Sequence, residues 1–386
     1  NKDNRVSKLL AKFVHDVLRK GSKVNVKDVE STLDNGASVF LLTCAVVFLY
    51  GYIQEKDVFE RDYQIFLSKR LLEGEDGFWL MCPGLCESEH SEKSMIAKLK
   101  TECGYQWTNK LEGMFKDVQL SKDLCTKFKG VFDTEVSCKN LDIVLDVNVC
   151  TTGYWPTSKM IQCNLPNSLE PACTKFKRFY LNQHSGHKLE WRMDQGQAEC
   201  QVIFSPTVRR GLIVTTYQMM ALLCFNAGAT LSYKQLQDVT GIPKAELASH
   251  LLSLAHPNIK VVEKNGSDGE RPNTKDLADD HKFRLNPAFQ SKLMKVQVQL
   301  LKIGNEDDDD KGNDQVIELQ RRHQIDAASV RIMKSRKTMR HNLLVAEVIQ
   351  QLSARFKPTP NMIKKRIEAL IEQEYMARDP KDRLLP

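Results

Sequence analysis

Three patterns in the chain predict a mainly α fold with a small α/β part. Apolar residues recur at helical spacing through most of the first third, a two-residue alternation stands at 140–150, and a helix-turn-helix order occurs twice after residue 211. The chain has 386 residues, 41% hydrophobic and 27% charged, which is ordinary for a globular protein and long enough for two to four domains. It opens Asn1-Lys2-Asp3 with no apolar leader and no Met, so it reads as a fragment of a longer chain.

The first region, 1–138, is predicted as a helical bundle. Leu9, Leu10, Phe13, Val14, Val17 and Leu18 mark one face of a first helix that Gly21 and Ser22 stop. Phe59, Tyr63, Phe66, Leu67, Leu71 and Leu72 mark a second, and further helices are expected over 94–100 and 114–120. The stretch 39–50 (VFLLTCAVVFLY) carries no charge but falls short of the ~20 residues a membrane span needs, so a buried helix is expected and no membrane partner. Cys82, Cys86, His90 and Cys103 do not follow a standard zinc-ligand spacing, and no metal or other cofactor is expected.

A small α/β unit is expected over 139–208. Leu141, Ile143, Leu145, Val147 and Val149 alternate as in a half-buried strand, and 188–191 and 199–204 read as two more strands. A helix carrying Phe176, Phe179 and Tyr180 lies between them, and the resulting sheet must have an edge. A first winged-helix module is expected over 209–300. Its helices are placed at 214–225, after the capping box Ser232/Gln235, and after Pro243, with wing strands at 259–262 and 283–285. The acidic run in 301–314 reads as a flexible, solvated linker. A second winged-helix order follows over 315–386: the helix through Lys334, a helix over 342–356, one capped by Thr359 and Pro360, and a wing starting at 375–378.

The stretch 325–337 (IDAASVRIMKSRK) holds the most distinctive pattern. Ile325, Ala328, Ser329 and Ile332 fall on one side of a helix, and Lys334, about 180° from Ile325, points to solvent among Arg331, Arg336, Lys337 and Arg340. Taken by itself this is a solvated basic helix end or a phosphate-binding face. The net charge of +7 suits acidic partners without demanding nucleic acid. Eleven irregularly spaced cysteines read as reduced thiols of a cytoplasmic and nuclear protein. Glycine phosphate loops, nucleophile elbows and HExxH are missing, and His184 and His187 have no carboxylate in their motif, so an enzyme is not expected. DNA binding through Lys364, Lys365 and Arg366 is the alternative; the first module's third helix, with Lys244, Glu246 and His250, offers no such basic face.

The residues themselves resemble a known family. VRIMKSRK closely resembles the neddylation segment of cullins, the scaffold subunits of multisubunit ubiquitin ligases. EKDVFERDYQIFLSKRLL, EKSMIAKLKTECG, TNKLEGMFKDVQLSKD, VNVCTTGYWPT and FYLNQHSGHKLEW also look like cullin motifs, so the chain resembles the C-terminal half of a cullin. Ser329 departs from the pattern, since an aliphatic residue is usual there. So do 35–47 and 76–87, which read as inserted residues, and the Leu384-Leu385-Pro386 end, where the family usually continues with a short aromatic strand.

The resemblance implies a non-catalytic scaffold and an isopeptide-bonded ubiquitin-like modifier on Lys334. It also implies a RING-finger subunit received at Ile143, Leu145, Val147, Val149, Trp155 and Trp191, and a ubiquitin-conjugating enzyme carried by that subunit. The modifier's conjugation and deconjugation machinery and a cullin-exchange factor are implied as further partners.

Overall fold

The computed structural model describes residues 2–18, 35–72, 86–134, 143–156, 162–205, 208–228, 230–265, 277, 279–291, 293–301 and 306–378. The chain divides into two compact units. One comprises Asn1–Leu120, Asn148–Pro156 and Glu306–Pro386; the other comprises Ser121–Val147 and Thr157–Asn305.

In the first unit, helices α1 (Lys2–Leu18), α2 (Asn35–Tyr52), α3 (Lys56–Leu72), α4 (Cys86–Cys103) and the start of α5 (Tyr105–Thr134) form the bundle. Phe59, Tyr63, Leu67 and Leu71 recur every four residues on α3, so one face is continuously apolar and buried. It meets Leu10, Ala11 and Val14 of α1, Met95 and Leu99 of α4, and Trp107, Leu111 and Met114 of α5 in one core. Burying each large side chain contributes about 1.5–3 kcal/mol. A buried ion pair between Arg70 and Glu92 crosses from α3 to α4, and the Tyr63 hydroxyl donates to the same carboxylate at 3.3 Å.

The residues at 35–47 form most of α2, which buries Val46 and Tyr50 in the core. Among the described residues no helix is long and apolar enough to cross a membrane. Residues 73–85, which hold most of the second departure, lie outside the described residues, as do the side chains of Cys86, His90 and Cys103.

The same unit contains α10 (Glu306–Arg336), α11 (His341–Leu352) and α12 (Pro360–Glu372). Ile325, Ala328 and Ile332 of α10 pack with Leu344, Val345 and Val348 of α11, with Phe356, and with Ile363 and Ile367 of α12. Thr359 caps α12, its Oγ1 accepting from the Met362 amide at 3.3 Å, and Pro360 opens the first turn. Two expectations are corrected here. The acidic run is not a flexible linker from 301 to 314, because 306–314 are already helical; acids at a helix N-terminus are favoured by its dipole. Residues 375–378 form no wing strand among the described residues, and 379–386 lie outside them.

The second unit holds α6 (Glu170–Gln183), β1 (Gln197–Ser205), β2 (Val208–Thr215), α7 (Thr216–Cys224), β3 (Thr230–Ser232), α8 (Tyr233–Thr240), α9 (Lys244–Leu254), β4 (Val262–Asn265), β5 (Lys282–Leu285) and β6 (Lys295–Gln297). One sheet has the order β1-β2-β6. β1 and β2 are antiparallel with Gln197 opposite Thr215, and β2 and β6 are parallel with Gly211 opposite Lys295. The wing is the sheet β3-β5-β4.

Capping boxes start α7 (Thr215 with Gln218) and α8 (Ser232 with Gln235), and Gly241 ends α8 at φ +66°. The helix expected from Val214 therefore starts at Thr216, because Val214 and Thr215 belong to β2. The strands expected at 140–150 and 188–191 are also corrected: among the described residues neither 143–150 nor 188–191 joins a ladder. Alternation supplies a face, but a strand also needs a neighbour to satisfy its backbone groups.

Candidate functional site

Lys334 sits in the last turn of α10, and the packing of that helix decides what it presents. Ile325 and Ser329 are fully buried, and Ala328 and Ile332 nearly so, which orients the side predicted to pack toward α11 and α12. Lys334 is exposed together with Arg331, Ser335, Arg336 and Lys337. The helix ends just beyond it: Lys337 adopts φ +67° and its amide donates to the Met333 carbonyl at 2.7 Å. Arg336 lies 3.7 Å from Glu347, whereas Lys334 has no ion pair among the described residues. An unpaired primary amine on an ordered helix is sterically open to an electrophilic carbonyl, the geometry an isopeptide acceptor needs.

The basic face proposed for DNA is reduced on α12. Arg366 donates to both oxygens of Asp326 at 2.8 and 2.6 Å, so its guanidinium is engaged within the module while Lys364 and Lys365 remain exposed.

The six residues expected to receive a partner fall into both units. In the second, Ile143 and Leu145 are half-buried and Val147 is buried. Val147 is held by Cys125, whose Sγ accepts from the Val147 amide at 3.2 Å and lies 3.1 Å from its carbonyl. Burial raises the Cys125 thiol above its ordinary pKa. Trp191 is half-buried against Phe176 at 5.8 Å, in an aromatic group with Phe128 and Phe179. In the β1-β2-β6 sheet of this unit, β1 has β2 on one side and no strand on the other among the described residues.

In the first unit, Val149 is half-buried, and Trp155 is 7% exposed and built into the bundle core. Asp117 of α5 gathers this turn, accepting from Trp155 Nε1 at 2.8 Å, the Thr151 amide at 2.8 Å and Thr151 Oγ1 at 3.1 Å. Tyr154 lies on Gly113, where a Cβ would stand 2.6 Å from the ring. The Trp155 indole therefore anchors the turn.

Sequence reasoning missed Asp117, Arg321 and Arg355. Arg321 bonds Asp57 and Glu55, and Arg355 bonds Glu60, across 264 to 295 positions, a separation at which no local pattern operates. Among the described residues no group of His, Cys, Asp and Glu has a metal-binding arrangement.

Comparison with known proteins follows this layout. The family model described as the cullin alpha solenoid domain matches residues 1–125, the cullin alpha+beta domain residues 149–289, and the cullin protein neddylation domain residues 320–382, which include Lys334. Cullin-3A of Arabidopsis thaliana is 41% identical over 387 residues, spanning 100% of this chain and 49% of its own length. Cullin-3 of Dictyostelium discoideum is 38% identical over 405 residues, spanning 96% and 49%. Cullin-4A of Mus musculus is 37% identical over 377 residues, spanning 97% and 46%. The chain thus covers about half the length of these relatives. With three family domains matched in order and similarity along its whole length, the chain belongs to the cullin family.

Proposed function

We propose that this chain is the scaffold part of a cullin-RING ubiquitin ligase, activated when a ubiquitin-like modifier forms an isopeptide bond with Lys334. The observation that carries this reading is an exposed, unpaired lysine on an ordered helix within the residues matched by the neddylation domain. In the transfer, the deprotonated Nζ attacks the modifier's C-terminal thioester carbonyl; the amide bond forms, the C–S bond breaks, the thiolate of the conjugating enzyme leaves, and the proton lost from Nζ passes to solvent.

A RING-finger subunit is received at the α/β part by strand addition, for which the open side of β1 is a suitable template. Ile143, Leu145 and Trp191 offer half-buried apolar surface in the same unit. The ubiquitin-conjugating enzyme comes with that subunit, and the chain contributes proximity while bond chemistry belongs to its partners. The modifier's conjugation and deconjugation machinery and a cullin-exchange factor complete the set of partners. Eleven cysteines suit the reducing cytoplasm and nucleus.

Incubation with a charged modifier-conjugating enzyme and a RING subunit, followed by peptide mapping, is expected to place the adduct on Lys334. Lys334→Arg is expected to lose at least nine-tenths of it; equal modification of that variant would overturn the assignment. A RING subunit that fails to co-purify, with salt-sensitive DNA binding in its place, would favour the alternative.

A further inference from the structure

The basic field around Lys334 holds a hydroxyl that the proposed transfer does not use. α10 ends at Arg336 and α11 begins at His341, so residues 337–340 alone connect the two helices. Thr338 lies in this connection. It is exposed, and its Oγ1 has no hydrogen-bond partner among the described residues. Lys337 turns the chain at φ +67°, and the Thr338 amide donates to the Arg336 carbonyl at 2.8 Å. Arg340 then leaves in an extended conformation, at φ −67° and ψ 138°. The Thr338 hydroxyl thus stands on backbone outside both helices. Ser335, a second exposed hydroxyl nearby, is inside the last turn of α10, and its Oγ donates to the Ile332 carbonyl at 2.8 Å.

Charge marks the same place. Arg331, Lys334, Arg336, Lys337 and Arg340 are exposed around Thr338, and no acid occurs between Asp326 and Glu347. A kinase with an acidic peptide cleft binds such a segment by complementarity, and it needs the acceptor on chain that can extend. Thr338 meets both conditions, whereas Ser335 meets the first alone. A phosphate at 338 stands between the end of α10, whose dipole disfavours it, and the start of α11, whose dipole favours it. The surrounding bases therefore decide how well it is held.

We propose that Thr338 accepts a phosphoryl group from ATP through a basophilic serine/threonine kinase, and that this phosphate slows modifier transfer to Lys334. In the step, Thr338 Oγ1 bonds the γ-phosphorus of ATP. The bond from that phosphorus to the bridging oxygen breaks, ADP leaves, and the hydroxyl proton passes to the kinase's base. The phosphate carries about −2 at neutral pH, enough to offset about two of the five positive charges around it. Lys334, four residues before Thr338, then has an anion to pair with, and a paired ammonium is a poorer nucleophile than a free amine. The site is independent of the functional reading above; the slowing rests on it.

The full chain, incubated with ATP and the catalytic domain of protein kinase C as a basophilic probe, is expected to take phosphate on Thr338, read by peptide mapping. Thr338→Val is expected to lose at least nine-tenths of the incorporation. Arg340→Gln, which removes a base and leaves the hydroxyl, is expected to slow it at least threefold. No phosphate, or phosphate on Ser335 in place of Thr338, overturns the site. An unchanged rate in Arg340→Gln overturns recognition by charge.

Modifier transfer is then compared between the phosphorylated and unphosphorylated chains. Transfer to the phosphorylated chain is expected to be at least fivefold slower, and Thr338→Val treated with the kinase is expected to match the unphosphorylated chain. Equal rates overturn the slowing. Failure of transfer to the unphosphorylated chain sinks the functional reading and leaves the peptide map to decide the site.

Discussion

Two parts of this chain share a helix-turn-helix order and are held together differently. The first, α7–α9 with the wing β3-β5-β4, belongs to a core of eighteen buried apolar residues among those described, to which the β1-β2-β6 sheet contributes. The last, α10–α12, has nine, and is tied to the bundle by Arg321 and Arg355. Apolar burial is non-directional and scales with area, whereas an arginine-carboxylate contact is specific in geometry and fails when one partner is lost. The module that carries Lys334 therefore depends on a smaller apolar core and on contacts of specific geometry.

Matched deletions in the two cores test this contrast most strongly. Phe283 and Phe356 are both fully buried. Truncating either to Ala is expected to cost about 3–5 kcal/mol. In denaturant titrations followed by hydrogen exchange, Phe356→Ala is expected to melt α10–α12 ahead of the bundle, whereas Phe283→Ala lowers the second unit as a whole. Equal, global effects from both would erase the distinction.

Acid separates the modules next. His250 of α9 is 3% exposed, its Nδ1 lies 3.0 Å from Thr215 Oγ1, and burial pushes its pKa down to about 4. A folded-state pKa below the unfolded value of 6.5 gives stability that is full above pH 6.5 and lost as pH falls toward 4. The loss attributable to this residue is about 3 kcal/mol. Unfolding free energies of wild type and His250→Gln measured across that range should converge at the acid end; parallel curves would refute the assignment.

The smallest effect belongs to Ser329, fully buried among Ile325, Ala328 and Ile332, with no partner for its Oγ among the described residues. Ser329→Ala removes a desolvated hydroxyl and raises helix propensity, so the C-terminal module is expected to gain about 1 kcal/mol. A denaturation midpoint that stays put or falls would show that the hydroxyl is satisfied in solution.

Much of this is legible in the sequence alone. Ser232 with Gln235, Gly241, and Thr359 with Pro360 mark helix ends where the structure has them, because a cap acts within three or four residues of its own position. The side assigned to Ile325, Ala328, Ser329 and Ile332 is the buried side for the same reason: a helix repeats every 3.6 residues whatever surrounds it. Lys334 followed from that geometry as an exposed residue, and from the VRIMKSRK resemblance as a candidate acceptor.

The alternation at 140–150 and the acidic run near 306–310 misled because each has more than one physical outcome. Alternating residues become a strand only beside a neighbour, and among the described residues β1 pairs with β2, which the pattern did not reveal. Acids repel one another as coil but are favoured in the first turns of a helix.

Helix period and caps, being local, are written in the residues themselves. The burial of Trp155 on Asp117, the order of the strands around β1 among the described residues and the pairing of Arg321 with Asp57 join positions from 38 to 264 apart or depend on which strands are neighbours. They exist only after the chain has folded, because hydrogen bonds and ion pairs act over a few ångströms of space and are indifferent to separation along the chain.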